Sequence, residues 1–449
     1  MMLKRFLAAV MSAAMMLSMS SCGKGGQKKS EPELTEDGKK IINVCTKGIG
    51  MSALYDDIKM FNRFNKEYEA RLTEYGAIYG DEYLTHLNAD IMAGKCPDVI
   101  LYEEEGVFPL ESYSQKGMLA DFYELMDNDP ELSREDFSDV LKAFEWDGRL
   151  YRMITTFLMT TAAGKTSIVG EEQGLTIDRC MELINEYPDN PFSGEYCDGM
   201  LRILMQYGYD NYIDDVGGKC NFESEEFIKL LEFCNGFAHE PLSSAFDEDV
   251  YRKSLYAMRN GTMPFHSEAI FNFNYVRNIE YYEFCDPVTF IGYPGAGGNG
   301  TMIEPQGARF CVFANSANSE GGWEFVKYFL TKSYQREHVS FTGFSVRNSV
   351  LEEQAEQAKK PVWDSEEKVY AEPYYIDDAG EKVMIGVNTD EDNQRVFDLI
   401  SGAVERKRSD NITDIICEEA GAYFSGQKSV EEAAEIIQNR VQNYLDENR

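Results

Sequence analysis

The chain has 449 residues and a formal net charge of −35, with 78 acidic side chains against 43 basic ones. A surface that acidic repels nucleic acid and anionic lipid, which excludes functions resting on either. Hydrophobic residues at 43% and aromatics at 13% exclude the other extreme, an acidic chain too polar to fold.

The first residues hold Lys4 and Arg5, then an apolar run from Phe6 to Met19 broken only by Ser12 and Ser18, then Ser20-Ser21-Cys22-Gly23. That layout predicts a signal peptide over residues 1–21. The run falls short of the roughly 20 residues needed to cross a bilayer as a helix. Residues 22–40 hold few large apolar side chains and read as a flexible tether. Removing the first 21 residues leaves 428 and, with Lys4 and Arg5 gone, a charge of −37. A chain of that length exceeds one ordinary core, so two lobes are expected. Besides Cys22 there are Cys45, Cys96, Cys180, Cys197, Cys220, Cys234, Cys285, Cys311 and Cys417, with no CxxC and no short His/Cys cluster. This spacing predicts buried thiols rather than a zinc site or a dense disulfide framework.

In chain order, Ile41 to Cys45 predicts a strand, and Leu54, Ile58, Phe61, Phe64 and Tyr68 fall at the spacing of an amphipathic helix. Arg71 to Tyr75 predicts a second strand, and Leu84, Leu87, Ile91 and Met92 a helix ended by Gly94. Pro97 blocks continuation, and Val99 to Tyr102 predicts a buried strand followed by a loop at Glu103 to Gly106. Asp147-Gly148 supplies a hairpin turn. Helices capped by Thr176 and Ser224 follow, then a strand over Thr262 to Phe265 and a glycine-rich turn from Gly292 to Gly298. Trp323, Val326, Phe329 and Leu330 mark a further helix, and Ser429 with Glu432 forms a capping box opening the last one. Tyr374 to Ile385 predicts a hairpin, and Thr389 to Asn393 stands out as an acidic insert. Alternating strands and helices predict an α/β fold with a mostly parallel sheet.

Gly94-Lys95-Cys96-Pro97-Asp98-Val99-Ile100, Asp147-Gly148-Arg149-Leu150-Tyr151, Gly261-Thr262-Met263, Trp323 to Leu330 and Gly426 to Ala433 are spread in order along the chain. Through these segments the chain resembles the family 1 extracellular solute-binding proteins of ABC importers. The segment ending in Cys22 is similar to a bacterial lipobox, with Met19 where leucine is usual. Two further departures are Ile177, where the family often has tryptophan, and Met153 to Thr156, which lack a customary proline.

The resemblance implies a two-lobe periplasmic-binding-protein-like fold of class II type, with a hinge of more than one crossing and an interlobe cleft. The lobes would comprise residues 41–150 with 262–315, and 151–261 with 316–449. It implies an extracytoplasmic lipoprotein acylated on Cys22 and held to the cell membrane, binding as a monomer. The protein would capture a sugar or oligosaccharide for the transmembrane subunits of an ABC permease, without turnover and without a cofactor.

Ligands in α/β sheets gather beyond the C-terminal ends of strands. Lys47, Glu103 and Glu104 follow predicted strands, and so do His266, Ser267 and Glu268, with Phe271 nearby. A carboxylate accepts from sugar hydroxyls, and an aromatic face covers the C–H face of a pyranose. Phe344 is the candidate from the other lobe, whereas Trp323 falls on a core stripe. Tyr374-Tyr375 suits ferric iron in type but lacks companion ligands, and the acidic loops match no EF-hand, so no metal is assigned. Two other functions remain open: a lipid-anchored glycoside hydrolase, which needs two carboxylates about 5–10 Å apart, and a sensor ectodomain without transport partners.

Overall fold

The computed structural model describes residues 31–50, 52–103, 107–187, 196–239, 248–294, 298–338, 343–365, 368–377, 380–405 and 410–447. The main elements are β1 (Lys40–Thr46), α1 (Ser52–Phe64), β2 (Tyr68–Glu74), α2 (Tyr83–Met92), β3 (Val99–Tyr102) and β4 (Met153–Lys165). Next come α3 (Ile177–Glu186), α4 (Cys197–Tyr212), α5 (Glu225–Cys234), α6 (Glu248–Asn260), β5 (His266–Ile270), β6 (Val288–Phe290) and β7 (Met302–Val312). The chain closes with α7 (Ser319–Leu330), β8 (Phe344–Ser345), α8 (Asn348–Ala358), α9 (Asp390–Gly402), β9 (Val404–Glu405), α10 (Asp410–Phe424) and α11 (Val430–Glu447).

These nine strands form one sheet, in the order β8-β4-β7-β3-β1-β2, with β5 and β6 also paired to β4 and β9 to β7. Two strands carry the architecture. β4 runs 13 residues, roughly 40 Å at the usual rise per residue. Its composition, Met-Ile-Thr-Thr-Phe-Leu-Met-Thr-Thr-Ala-Ala-Gly-Lys, is that of a strand covered on both faces. β7, 11 residues long, lies antiparallel beside it from Met302 to Phe310, and the pair extends from one half of the molecule to the other.

The two faces of the sheet differ. On the back, one buried cluster is continuous from Ile42, Val44 and Phe61 through Phe157, Met159 and Phe310 to Ile270, Phe284 and Phe290. On the front there are two clusters. One sits over β1, β3 and the far end of β7, with Cys45, Tyr75, Tyr83, Leu87, Ile100, Tyr102 and Cys311. The other sits over the opposite end of β4, where α3, α4, α5, α10 and α11 cover Ala162, Phe265 and Met302.

Several sequence expectations change for local reasons. Tyr68 opens β2 instead of closing α1, because the Asn65 side chain accepts from Glu67 N at 3.0 Å and Tyr68 N at 2.8 Å and turns the chain. Thr389 to Asn393 is the capped start of α9: Thr389 Oγ1 accepts from Asp392 N, and Asp392 accepts from Thr389 N at 2.8 Å. The predicted strand at Thr262 to Phe265 lies instead at β5, beyond Pro264, which has no amide to donate to a ladder. The helix bearing Trp323, α7, packs in the back cluster with β1 and α1. The turn at Asp147 (φ 51°) and Gly148 (φ 69°), the Thr176 and Ser224 caps, the Ser429–Glu432 box and the hairpin pairing Tyr374–Ile376 with Lys382–Met384 occur where the sequence predicts them. All nine described cysteines are free thiols, and Cys285 alone among them is exposed.

Candidate functional site

Between its two front clusters the sheet is uncovered. Side chains opposed across an antiparallel ladder share a face, and Leu158 opposes Glu304, Thr156 opposes Gln306, and Thr160 opposes Met302 and Ala269. Leu158 is the one residue of β4 not fully buried, and in β7 the incompletely buried residues are Glu304, Gln306 and Gly307. Ser267 and Ala269 of β5 are exposed on the same face. These residues form a mostly polar strip in an otherwise covered sheet. At its edge the Thr160 hydroxyl is buried without a hydrogen-bond partner among the described residues.

Three strand ends reach this strip. The parallel register pairs Cys45 with Ile100, which puts Lys47 level with Tyr102 at the ends of β1 and β3. β5 ends with Ile270 opposite Met159, so Phe271 lies level with Leu158. The loop after β1 is held closely. Its Gly50 N donates to Glu103 Oε2 at 2.5 Å, and Ile49 N donates to Glu74 Oε1 at 3.3 Å, which also accepts from Tyr55 OH at 2.6 Å. Lys47 O accepts from Gly76 N at 2.8 Å, and a Cβ on Gly76 would stand 2.3 Å from that oxygen, so only glycine fits there. Lys47 Nζ lies 5.7 Å from the centre of the Tyr83 ring.

Of the residues singled out in the sequence, Lys47, Glu103, Ser267 and Phe271 border the strip. The Glu103 carboxylate accepts from Gly50 N through Oε2, so it shapes the loop. Ser267 Oγ and Tyr293 OH share a hydrogen bond at 2.5 Å. Phe271 is 42% exposed and leans on Tyr275, with ring centres 4.6 Å apart.

The others are displaced from it. His266 and Glu268 flank Ser267 within β5, and alternation sends both to the back face, where they pair with each other at 2.7 Å (Nδ1 to Oε1). Glu268 is buried next to Glu283, whose carboxyl is raised to about 8, first by burial and then by the charge of Glu268. Phe344 is fully buried against Phe157 and Phe273 and offers no ring to a solute, because β8 joins the sheet at Phe157. Glu104 and Cys22 lie outside the described residues.

Tyr374 OH donates to Asp364 at 2.8 Å and Tyr375 packs on Tyr282, both in a hairpin away from the strip. Among the described residues no group of three or more His, Cys, Asp or Glu is arranged to hold a metal, and no helix is long and apolar enough to cross a membrane.

The sequence offered one overlooked signal: the polar break Glu304-Pro305-Gln306-Gly307 inside an apolar stretch from Met302 to Phe313. Leu158 gave none, since its exposure depends on which helices cover the strand.

The profile of the bacterial extracellular solute-binding proteins matches residues 59–365. No curated protein matches the sequence. Among solved structures, the sugar-binding protein MalE of Xanthomonas citri is similar with a TM-score of 0.54 at 13% identity, over 91% of this chain and 98% of that one. A family 1 extracellular solute-binding protein of Alicyclobacillus acidocaldarius gives 0.53 at 13% identity, with 91% and 98% covered. An ABC substrate-binding protein of Listeria monocytogenes in complex with cycloalternan gives 0.52 at 15% identity, with 91% and 99% covered. At such identities the likeness carries the two-lobe fold, and the match over more than half the chain carries the family.

Proposed function

The chain belongs to the bacterial extracellular solute-binding proteins, and from that premise we propose that it captures a sugar or oligosaccharide on the uncovered front strip and presents it to an ABC importer. The observation that carries the proposal is the strip itself, where Leu158, Gln306, Glu304 and Ser267 are left open between two helical layers. Leu158 and Phe271 suit the C–H faces of a sugar ring, while Gln306 and the acids suit its hydroxyls. Lys47 and Glu103 approach from the other side, and Glu104 joins them on sequence grounds. Two similar structures, one a sugar-binding MalE and one a cycloalternan complex, favour a carbohydrate. Nothing in this arrangement calls for breaking a bond.

The lobes we infer are residues 40–154 with 309–358, and 157–293 with 410–447. They close over the solute by bending where β4 and β7 cross, which excludes water and signals occupancy. Cys22 is acylated and becomes the first residue of a monomer tethered to the cell membrane. A Cys22→Ser chain should therefore lose palmitate label and appear in the medium; continued retention on the membrane would remove the anchor.

A melting screen against maltose, cycloalternan and other neutral oligosaccharides tests the solute. One class should raise the melting temperature, with stabilisation of about 2.7 kcal/mol at a hundred times Kd, and be recovered intact. Release of cleaved sugar, abolished by Glu304→Gln, would replace this reading with a hydrolase. A shift with peptides or polyamines alone would change the solute.

A further inference from the structure

Where the strands cross, β7 carries an extra residue. The register with β4 runs Ile154 to Arg309 and then Thr156 to Gln306, so three steps of β7 face two of β4. Gly307 lies in this bulge with φ +67°, a conformation that favours glycine. Two residues on, Arg309 is 6% exposed and stands on the front face beside Tyr102. Its guanidinium donates to three carbonyls: Nη2 to Pro305 O at 2.9 Å, and Nη1 to Gly307 O at 3.2 Å and to Glu103 O. Burying a guanidinium is costly, and its neighbours in this layer, Ile100 and Cys311, would be satisfied by an apolar side chain.

We propose that Arg309 is a positioning residue that ties the bend between the lobes to the solute-facing loop at 47–50. One rigid, planar fork grips both sides of the bulge and the end of β3. Glu103, held by its carbonyl, in turn holds Gly50 N through Oε2. Rotation at the bulge carries the Pro305 and Gly307 carbonyls with it. The guanidinium must follow, or break its bond to Glu103 and free the loop. This rests on the reading that the lobes close on a solute, yet its test needs no ligand.

Hydrogen exchange is measured on the full chain, without sugar, for Arg309→Lys and Gly307→Ala. Lysine keeps the charge but gathers its donors on one nitrogen, without the planar fork that reaches Pro305 O and Glu103 O from separate nitrogens. The alanine Cβ has no neighbour closer than 3.6 Å, so its effect is confined to the strained φ at the bulge. Each variant should speed exchange of residues 47–50 about tenfold and leave 197–234 within about twofold of the parent. If Arg309→Lys does not fold, Gly307→Ala decides alone, since it touches neither Glu103 nor the loop. Unchanged exchange at 47–50 in Gly307→Ala, or equal acceleration at 197–234 in either variant, would overturn the coupling. A failed sugar screen with altered loop exchange would instead count against the proposed solute and leave Arg309 in this role.

Discussion

The two faces of the sheet solve different problems. The back carries one cluster through both halves, with Phe310 packed on Phe325 and Phe329 at ring-centre distances of 6.0 and 4.7 Å. The front carries two clusters that stop short of each other, and the residues left between them are polar or half-covered. Stability is thus concentrated on the face with one continuous cluster, and the strip proposed for recognition lies on the face that forgoes some burial. Dispersion and hydrophobic burial act collectively, so a sheet covered fully on one side can leave a strip bare on the other.

The contrast is broken most severely from behind. Phe310→Ala leaves a cavity in the back cluster and should cost about 3–5 kcal/mol in urea unfolding, lowering the transition for the whole chain. A loss below about 1 kcal/mol would mean that the back is not the common core.

A smaller, pH-dependent effect sharpens the same contrast. Glu283 stands at about 8 in the folded chain against an ordinary 4.5, so the folded state holds its proton where the unfolded state has lost it. Its contribution is fully present below about 4.5, declines above that, and is lost as pH rises through about 8. Melting temperature should fall across this window, and Glu283→Gln, neutral throughout, should flatten the fall. An unaltered pH profile in the variant would show that the Glu268–Glu283 pair does not burden the back face.

Much of the fold was legible in the sequence because it follows local rules. Thr176, Ser224 and Ser429 cap their helices as hydroxyls do at such positions, and Asp147-Gly148 makes its turn through two positive φ angles. The site was less legible because it depends on coverage and register. Moving β5 past Pro264 turned His266, Ser267 and Glu268 from a loop beyond a strand into the strand itself, and the period of two then sent only Ser267 to the front. Phe344 looked like a ring beside a turn, but its pairing with Phe157 across β8 and β4 buries it. No pattern along the chain reveals that α10 and α11 lie over β4 while α7 lies behind β1.

The front strip is tested most directly by filling it. Leu158→Trp adds bulk on the one incompletely covered position of β4 and leaves the back cluster untouched. In calorimetric titration with the oligosaccharide that most raises the parent's melting temperature, the parent should bind one molecule. The variant, melting within about 2 °C of the parent, should bind at least tenfold more weakly, a loss of about 1.4 kcal/mol. Equal affinity in the two proteins would contradict capture on this face.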